Sequence, residues 1–297
     1  MEDYAIICRC FAYYYRNQGK HDRALSYIEL AVNYMRGKKN IDRFGLYPSD
    51  LMVMKLPFTG RSGMSKLHEE FYSTLDRVEG PLTKGHMYSN LAQTYFEFGD
   101  VSKCIENLTK ALEYLKDPLT AARIRIRIGD AHKRLGEWEA AFKNLEMAEA
   151  LLDPEDETIR FVYEGYALYY LENGSLTLAD KFSDAIFNNG SWFVSSSENH
   201  FIETVAAVKV SVSKEEDLLE IFDKLLKELH LGYLYALHHL SHFDGVLEKY
   251  EFSETQLSKM RELIIKKILK KRLSEDHKNM LKQILGTITI KMNPVER

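Results

Sequence analysis

The residues best placed to do chemistry are a group of histidines. His238 and His242 lie four apart, His239 sits beside them, and His230 and Asp244 are close in sequence. On a helix, two histidines at i and i+4 can begin a tetrahedral zinc site. The set goes no further: no cysteine is near it, no H-E-x-x-H occurs, and His68-Glu69-Glu70 has the wrong spacing. No metal site is expected, and no cofactor. Thr59-Gly60-Arg61-Ser62-Gly63 has the glycines of a phosphate loop without its G-K-[ST] ending or a preceding strand, so it reads as a connector. The acids Asp153, Glu155, Asp156 and Glu157 flank Pro154 at a helix boundary, where capping and the helix dipole account for them. No G-x-S-x-G, kinase, dinucleotide or cysteine–histidine nucleophile pattern is present. The expectation is a protein that is not an enzyme.

A second group is cationic and amide-bearing. Arg123 and Arg127 are four apart and share a helix face, Asp130 lies three further on where it can orient Arg127, and Lys133-Arg134 follows. Asn90 and Gln93 are neighbours on another helix. Guanidinium groups hold carboxylates through paired hydrogen bonds, and side-chain amides pair with peptide backbone. Such a set suits an extended peptide.

The elements that carry these residues repeat along the chain. Leu91-Ala92-x-x-Tyr95 is followed by Phe98-Gly99-Asp100, then Cys104, Leu108 and Ala111. Ile128-Gly129-x-x-His132 is followed by Leu135-Gly136-Glu137, then Ala141, Leu145 and Ala148. Phe11-Ala12-x-x-Tyr15 leads to Gly19, Ala24, Ile28 and Ala31, and Tyr166-Ala167-x-x-Tyr170 to Gly174, Ala179, Ser183 and Ile186. A small residue near the end of a first helix lets a second helix approach closely. The glycine supplies the positive φ of a helix C-terminus. Asp100 is a plausible N-cap, and Pro118 and Pro154 follow two second helices where proline stops a helix.

This pattern resembles the tetratricopeptide repeat (TPR), a helix–turn–helix unit. The likeness is good over 85–116 and 122–153, fair over 5–36 and weaker over 160–190. The period is 37 residues from Cys104 to Ala141 and 38 from Ala141 to Ala179, longer than the family's 34. His132 stands where the family has tyrosine. The resemblance implies an all-α, right-handed superhelical solenoid of roughly seven helix pairs, with TPR-like repeats over 1–190 (one degenerate, 37–80) and further helical pairs and capping helices over 191–297. It also implies a concave groove lined by the first helices. Matched residue by residue, its groove positions are Arg9, Tyr13, Asn17, His86, Asn90, Gln93, Arg123, Arg127, Asp130, Lys133 and Arg134, with Arg16, Ser89, Glu97 and Ile126 alongside. The lysine and asparagine set that clamps chaperone tails is incomplete here.

Between the copies at 5–36 and 85–116, Ser49 to Leu56 and Ser65 to Val78 read as the helices of the degenerate repeat. Beyond Asn189 the repeat signature fades, but helices are expected to about Val212, from Ser213 to Leu229, Gly232 to Tyr250, Ser253 to Arg272 and Ser274 to Met292. Only 6 prolines occur in 297 residues, against about 15 at average usage. Lys+Arg number 40 and Asp+Glu 44, a net charge of −4, which argues against a nucleic-acid binder. Residues 255–297 hold 11 basic and 4 acidic side chains, the mark of a basic amphipathic helix. No run is long enough for a membrane span, the start is acidic rather than signal-like, and Cys8, Cys10 and Cys104 form no framework. A cytoplasmic protein is expected.

Functionally, the reading is a non-catalytic protein or peptide interaction module of regulatory type. The long helices are also similar to the repeat domains of Gram-positive peptide-sensing regulators, which implies a short signalling peptide as ligand. The N-terminal output domain usual in those regulators is not among these residues. A structural scaffold, dimeric through its C-terminal helices, is the alternative. A phosphatase-like regulator of response regulators is the second alternative. A homo-oligomer stays open.

Overall fold

The computed structural model describes residues 2–17, 20–35, 50, 64–188, 201–212, 214, 217–228, 234–268 and 275–292. Among them are fourteen α-helices and no strand. They are α1 (Glu2–Asn17), α2 (His21–Met35), α3 (Met64–Leu75), α4 (Pro81–Glu97), α5 (Val101–Tyr114), α6 (Pro118–Arg134) and α7 (Trp138–Glu149). After these come α8 (Ile159–Glu172), α9 (Leu176–Asn188), α10 (Phe201–Ser211), α11 (Asp217–Glu228), α12 (Leu234–Lys249), α13 (Glu254–Ile268) and α14 (Glu275–Met292). The architecture is all-α and TPR-like, built of packed helix pairs.

Local chemistry sets the boundaries. Pro81 and Pro118 are the first residues of α4 and α6, where a missing N–H costs nothing. Asp117 caps α6, accepting from the Thr120 N–H at 2.9 Å and its hydroxyl at 2.7 Å. Pro118 thus opens a helix, where the sequence suggested that it ends one. Asp100 caps α5 as expected, accepting from the Lys103 N–H at 3.3 Å. Gly99, Gly136 and Gly174 end their helices with φ of 78°, 75° and 71°. Ser253 and Gln256 bond reciprocally at the start of α13 (2.7 and 3.3 Å), a capping box.

The chain divides into two compact units, residues 1–154 and 155–297. In the first, α1 pairs with α2, α4 with α5, and α6 with α7, while α5 stacks on α6. The small residues Ala12, Ala92 and Gly129 are buried, and so are Ala24, Cys104 and Ala141, which face them in register. Ala5, Cys8, Ala12, Ile28, Phe71, Met87 and Leu91 join α1–α4 in one apolar cluster. Cys104, Leu108, Ala111, Ile124 and Ile128 join α5 to α6 in another. In the second unit α8 pairs with α9, α10 packs on both, α11 lies against α13, and α12 against α14. Its core runs through Phe201, Phe222 and Phe243 to Ile264, Leu281 and Ile288.

Polar latches recur between elements one repeat apart. Arg127 reaches Ser89 over 38 residues, Thr204 donates to Glu164 over 40, and Gln283 to Asp244 over 39. In the second unit the nearly buried Lys209 ammonium lies 2.7 Å from Asp180, 2.5 Å from Asp184 and 3.3 Å from Asp217.

Gly19, the Thr59–Gly63 segment, His230 and the Lys270-Lys271-Arg272 run lie outside the described residues, as do all of 49–56 except Asp50, which is helical. His238 and His239 fall on α12 with their side chains outside the description, while His242 Nδ1 lies 2.7 Å from Glu203 Oε1. Among the described residues no three histidine, cysteine or acidic side chains converge as metal ligands, and no helix is long and apolar enough to cross a membrane.

Candidate partner-binding face

Three first helices of the amino-terminal unit, α1, α4 and α6, carry the polar residues singled out by spacing. They are joined by two sets of hydrogen bonds that share α4. At the centre of the first is Asp50, fully buried. Arg9 Nε donates to Asp50 Oδ2 at 2.5 Å, the Tyr13 hydroxyl to Oδ1 at 2.6 Å, and Asn90 Nδ2 to Oδ1 at 3.1 Å. One acid therefore ties α1 to α4. Burial, then the Asp50 charge and hydrogen bond, push the Tyr13 phenol far above its ordinary range, although Arg9 and Arg16 oppose this. His86, exposed on α4, feels the same centre: partial burial and then Arg9 lower its pKa, against the pull of Asp50.

A second set joins α4 to α6. Arg127 donates to the Ser89 hydroxyl at 2.6 Å, to the Ser89 carbonyl at 3.1 Å and to Gln93 Oε1 at 3.0 Å. Gln93 in turn donates to Glu97 at 2.7 Å. Two turns along α6, Arg134 donates to the Phe96 carbonyl at 2.9 Å and lies over the Phe96 ring, 4.8 Å from its centre. Arg127 and Arg134 thus strap one repeat to the next. Asp130 holds Lys133 at 2.7 Å, while Arg127 turns toward α4. Arg123 is exposed at the second turn of α6. Asn17 ends α1, with its side chain outside the description.

The structure therefore brings Arg9, Tyr13, His86 and Asn90 together around Asp50, and Gln93, Arg127 and Arg134 together along α4 and α6. Sequence reasoning missed Asp50. The available signal was its being the sole acid in the predicted Ser49–Leu56 helix, between helices carrying Arg9 and Asn90. His132, in the place of the family's tyrosine, sits at the C-terminal turn of α6 with Nδ1 2.6 Å from Glu137 Oε2.

The family model for the tetratricopeptide repeat matches residues 85–114, which are α4 and α5 in the register described above. The chain thus carries a tetratricopeptide repeat over those residues. Solved structures agree on the fold. BtubC (BKLC) from P. vanneervenii aligns with 68% of this chain and 85% of its own at 17% identity and a TM-score of 0.52. A tetratricopeptide repeat protein from Parabacteroides merdae ATCC 43184 aligns with 97% of this chain and 99% of its own at 11% identity and a TM-score of 0.50. No curated protein matches the sequence. Tetratricopeptide repeats indicate a protein-interaction module, a fold that is typically non-catalytic.

Proposed function

We propose that this tetratricopeptide-repeat chain is a regulatory interaction protein that receives an extended segment of a partner across α1, α4 and α6. The observation behind this reading is the pair of polar clusters that share α4, Arg9, Tyr13 and Asn90 on Asp50 and Arg127 on Ser89 and Gln93. It fixes the side chains of three helices relative to one another before any partner arrives. A face so ordered loses little rotamer entropy on binding. His86 and Arg123, both exposed, border it and can meet a peptide carbonyl or carboxylate. Cys8, Cys10 and Cys104 are all unpaired, which suits a reducing cytoplasm.

Photocrosslinking tests the reading. A crosslinking amino acid in place of His86 or Arg123 is expected to label one and the same partner. The same group in place of Thr109 on α5 or Lys143 on α7, both exposed on second helices, is expected to leave it unlabelled. Equal labelling from all four positions would overturn the assignment.

A further inference from the structure

Every lysine of α5 and α6 has an acid beside it. Lys103 pairs with Asp100 at 2.9 Å, Lys110 with Glu106 at 2.7 Å and Lys133 with Asp130 at 2.7 Å. Three arginines of α6 differ. Among the described residues, Arg123, Arg125 and Arg134 pair with no carboxylate. Arg125 donates to the Asn144 amide oxygen at 3.2 Å, on the side of α7. Arg134 donates to the Phe96 carbonyl and lies over the Phe96 ring. The Asp117 carboxyl lies low mainly because the Thr120 N–H and hydroxyl donate to it, and Arg123 adds a smaller pull. The single acid within α6, Asp130, is held by Lys133.

Arg123, Arg127 and Arg134 fall at i, i+4 and i+11, on one side of α6. That side meets α4, where Arg127 reaches Ser89 and Gln93 and Arg134 reaches Phe96. Glu97, at the end of α4, accepts from the same Gln93 that Arg127 holds. Arg123 and Arg134, both exposed, stand at either end of this set with their charge unanswered. A guanidinium has five N–H donors. The Phe96 carbonyl takes one Nη1 donor of Arg134, and the ring fixes its plane, so a fork remains for a carboxylate.

We propose that the segment received by this face is acidic, with one carboxylate on Arg123 and a second on Arg134. The inference rests on the partner-binding reading of α1, α4 and α6 and names the chemistry of what binds there. The two arginines are 11 residues apart, about 16 Å along a helix axis. An extended segment covers that distance in about five residues.

A phage-displayed library of random linear peptides, selected on the full wild-type chain, tests this. The enriched peptides are expected to carry two acidic residues about five positions apart. A labelled synthetic copy of one is expected to bind Arg123→Gln and Arg134→Gln about 10-fold more weakly each by fluorescence anisotropy. Lys143→Gln, which removes an exposed charge from α7, is expected to bind it as the wild type does. Arg134→Gln also loses the strap to Phe96, whereas Arg123 makes no hydrogen bond among the described residues, so its variant tests the contact without disturbing the fold. Enriched peptides that are basic or lack acids overturn this inference and leave the partner-binding reading standing. Acidic peptides that bind both arginine variants as tightly as Lys143→Gln overturn it as well, by placing their site elsewhere. A library with no enriched peptide counts against the receiving face itself, and the inference falls with it.

Discussion

Asp50 has three donors and no exposure, which makes it the most consequential single residue of the amino-terminal unit. Replacing it with alanine removes one acceptor from the Arg9 guanidinium, the Tyr13 hydroxyl and the Asn90 amide together. Removing one partner of a buried ion pair costs about 3–5 kcal/mol. Arg9 keeps some contact with water, so Asp50→Ala is expected near the lower end of that range, read as a drop in urea midpoint. Asp50→Asn keeps an acceptor for Tyr13 and is expected to lose about half as much. Equal stability of the wild type and Asp50→Ala would mean that the three donors find water as readily as the acid. Cys104 is quieter: burial pushes its thiol up to about 11, so it serves as a small apolar contact and not as a nucleophile.

At the level of elements, close approach decides which positions must stay small. A Cβ at Gly85 would come within 2.5 Å of Leu115 Cγ and 3.0 Å of Tyr114 Cβ, where the start of α4 meets the end of α5. Gly85→Ala gains helix propensity of about 1 kcal/mol and forces Leu115 aside. A net loss of about 1–2 kcal/mol in thermal unfolding is expected; a gain would show that the end of α5 yields freely. These approaches are why the repeats were readable. Ala12, Ala92, Gly129 and their facing partners must be small wherever two helices cross, so the fold leaves a trace in residue type. The polar clusters left a weaker trace. Arginines at 127 and 134 look the same whether they hold a partner or the next helix, and only the stacking distance between α4 and α6 separates these roles. Asp50 was hidden for a similar reason: its repeat lacks the small-residue signature, so nothing in sequence fixed which way the acid faced.

For the whole molecule, the two units meet acid differently. In the first, burial and then Lys103 lower the pKa of His68, and burial and then Arg9 lower that of His86. The unfolded chain therefore takes up these protons before the folded one does. The stability is present above the ordinary histidine pKa of 6.5 and is lost as pH falls through the lower folded values. Amide protection of residues 1–154 is expected to weaken between about pH 7 and pH 5, and a His68→Gln/His86→Gln variant is expected to flatten that dependence. A variant with an unchanged profile would show that other groups govern it. In the second unit, burial pushes the Asp180 carboxyl up, but hydrogen bonds from Lys209 and Lys214 outweigh it and hold the acid low. That contribution persists until pH falls through the depressed carboxyl value.

The latches share a span. Asn90, Arg127, Thr204 and Gln283 are each bonded to a residue 38 to 40 positions earlier. During synthesis, a hairpin leaving the ribosome would therefore lack its clasp until the following one emerged to close it. Within each unit, translation would secure these hairpins in order, each fastened by its younger neighbour, with about 40 residues of nascent chain waiting to be claimed.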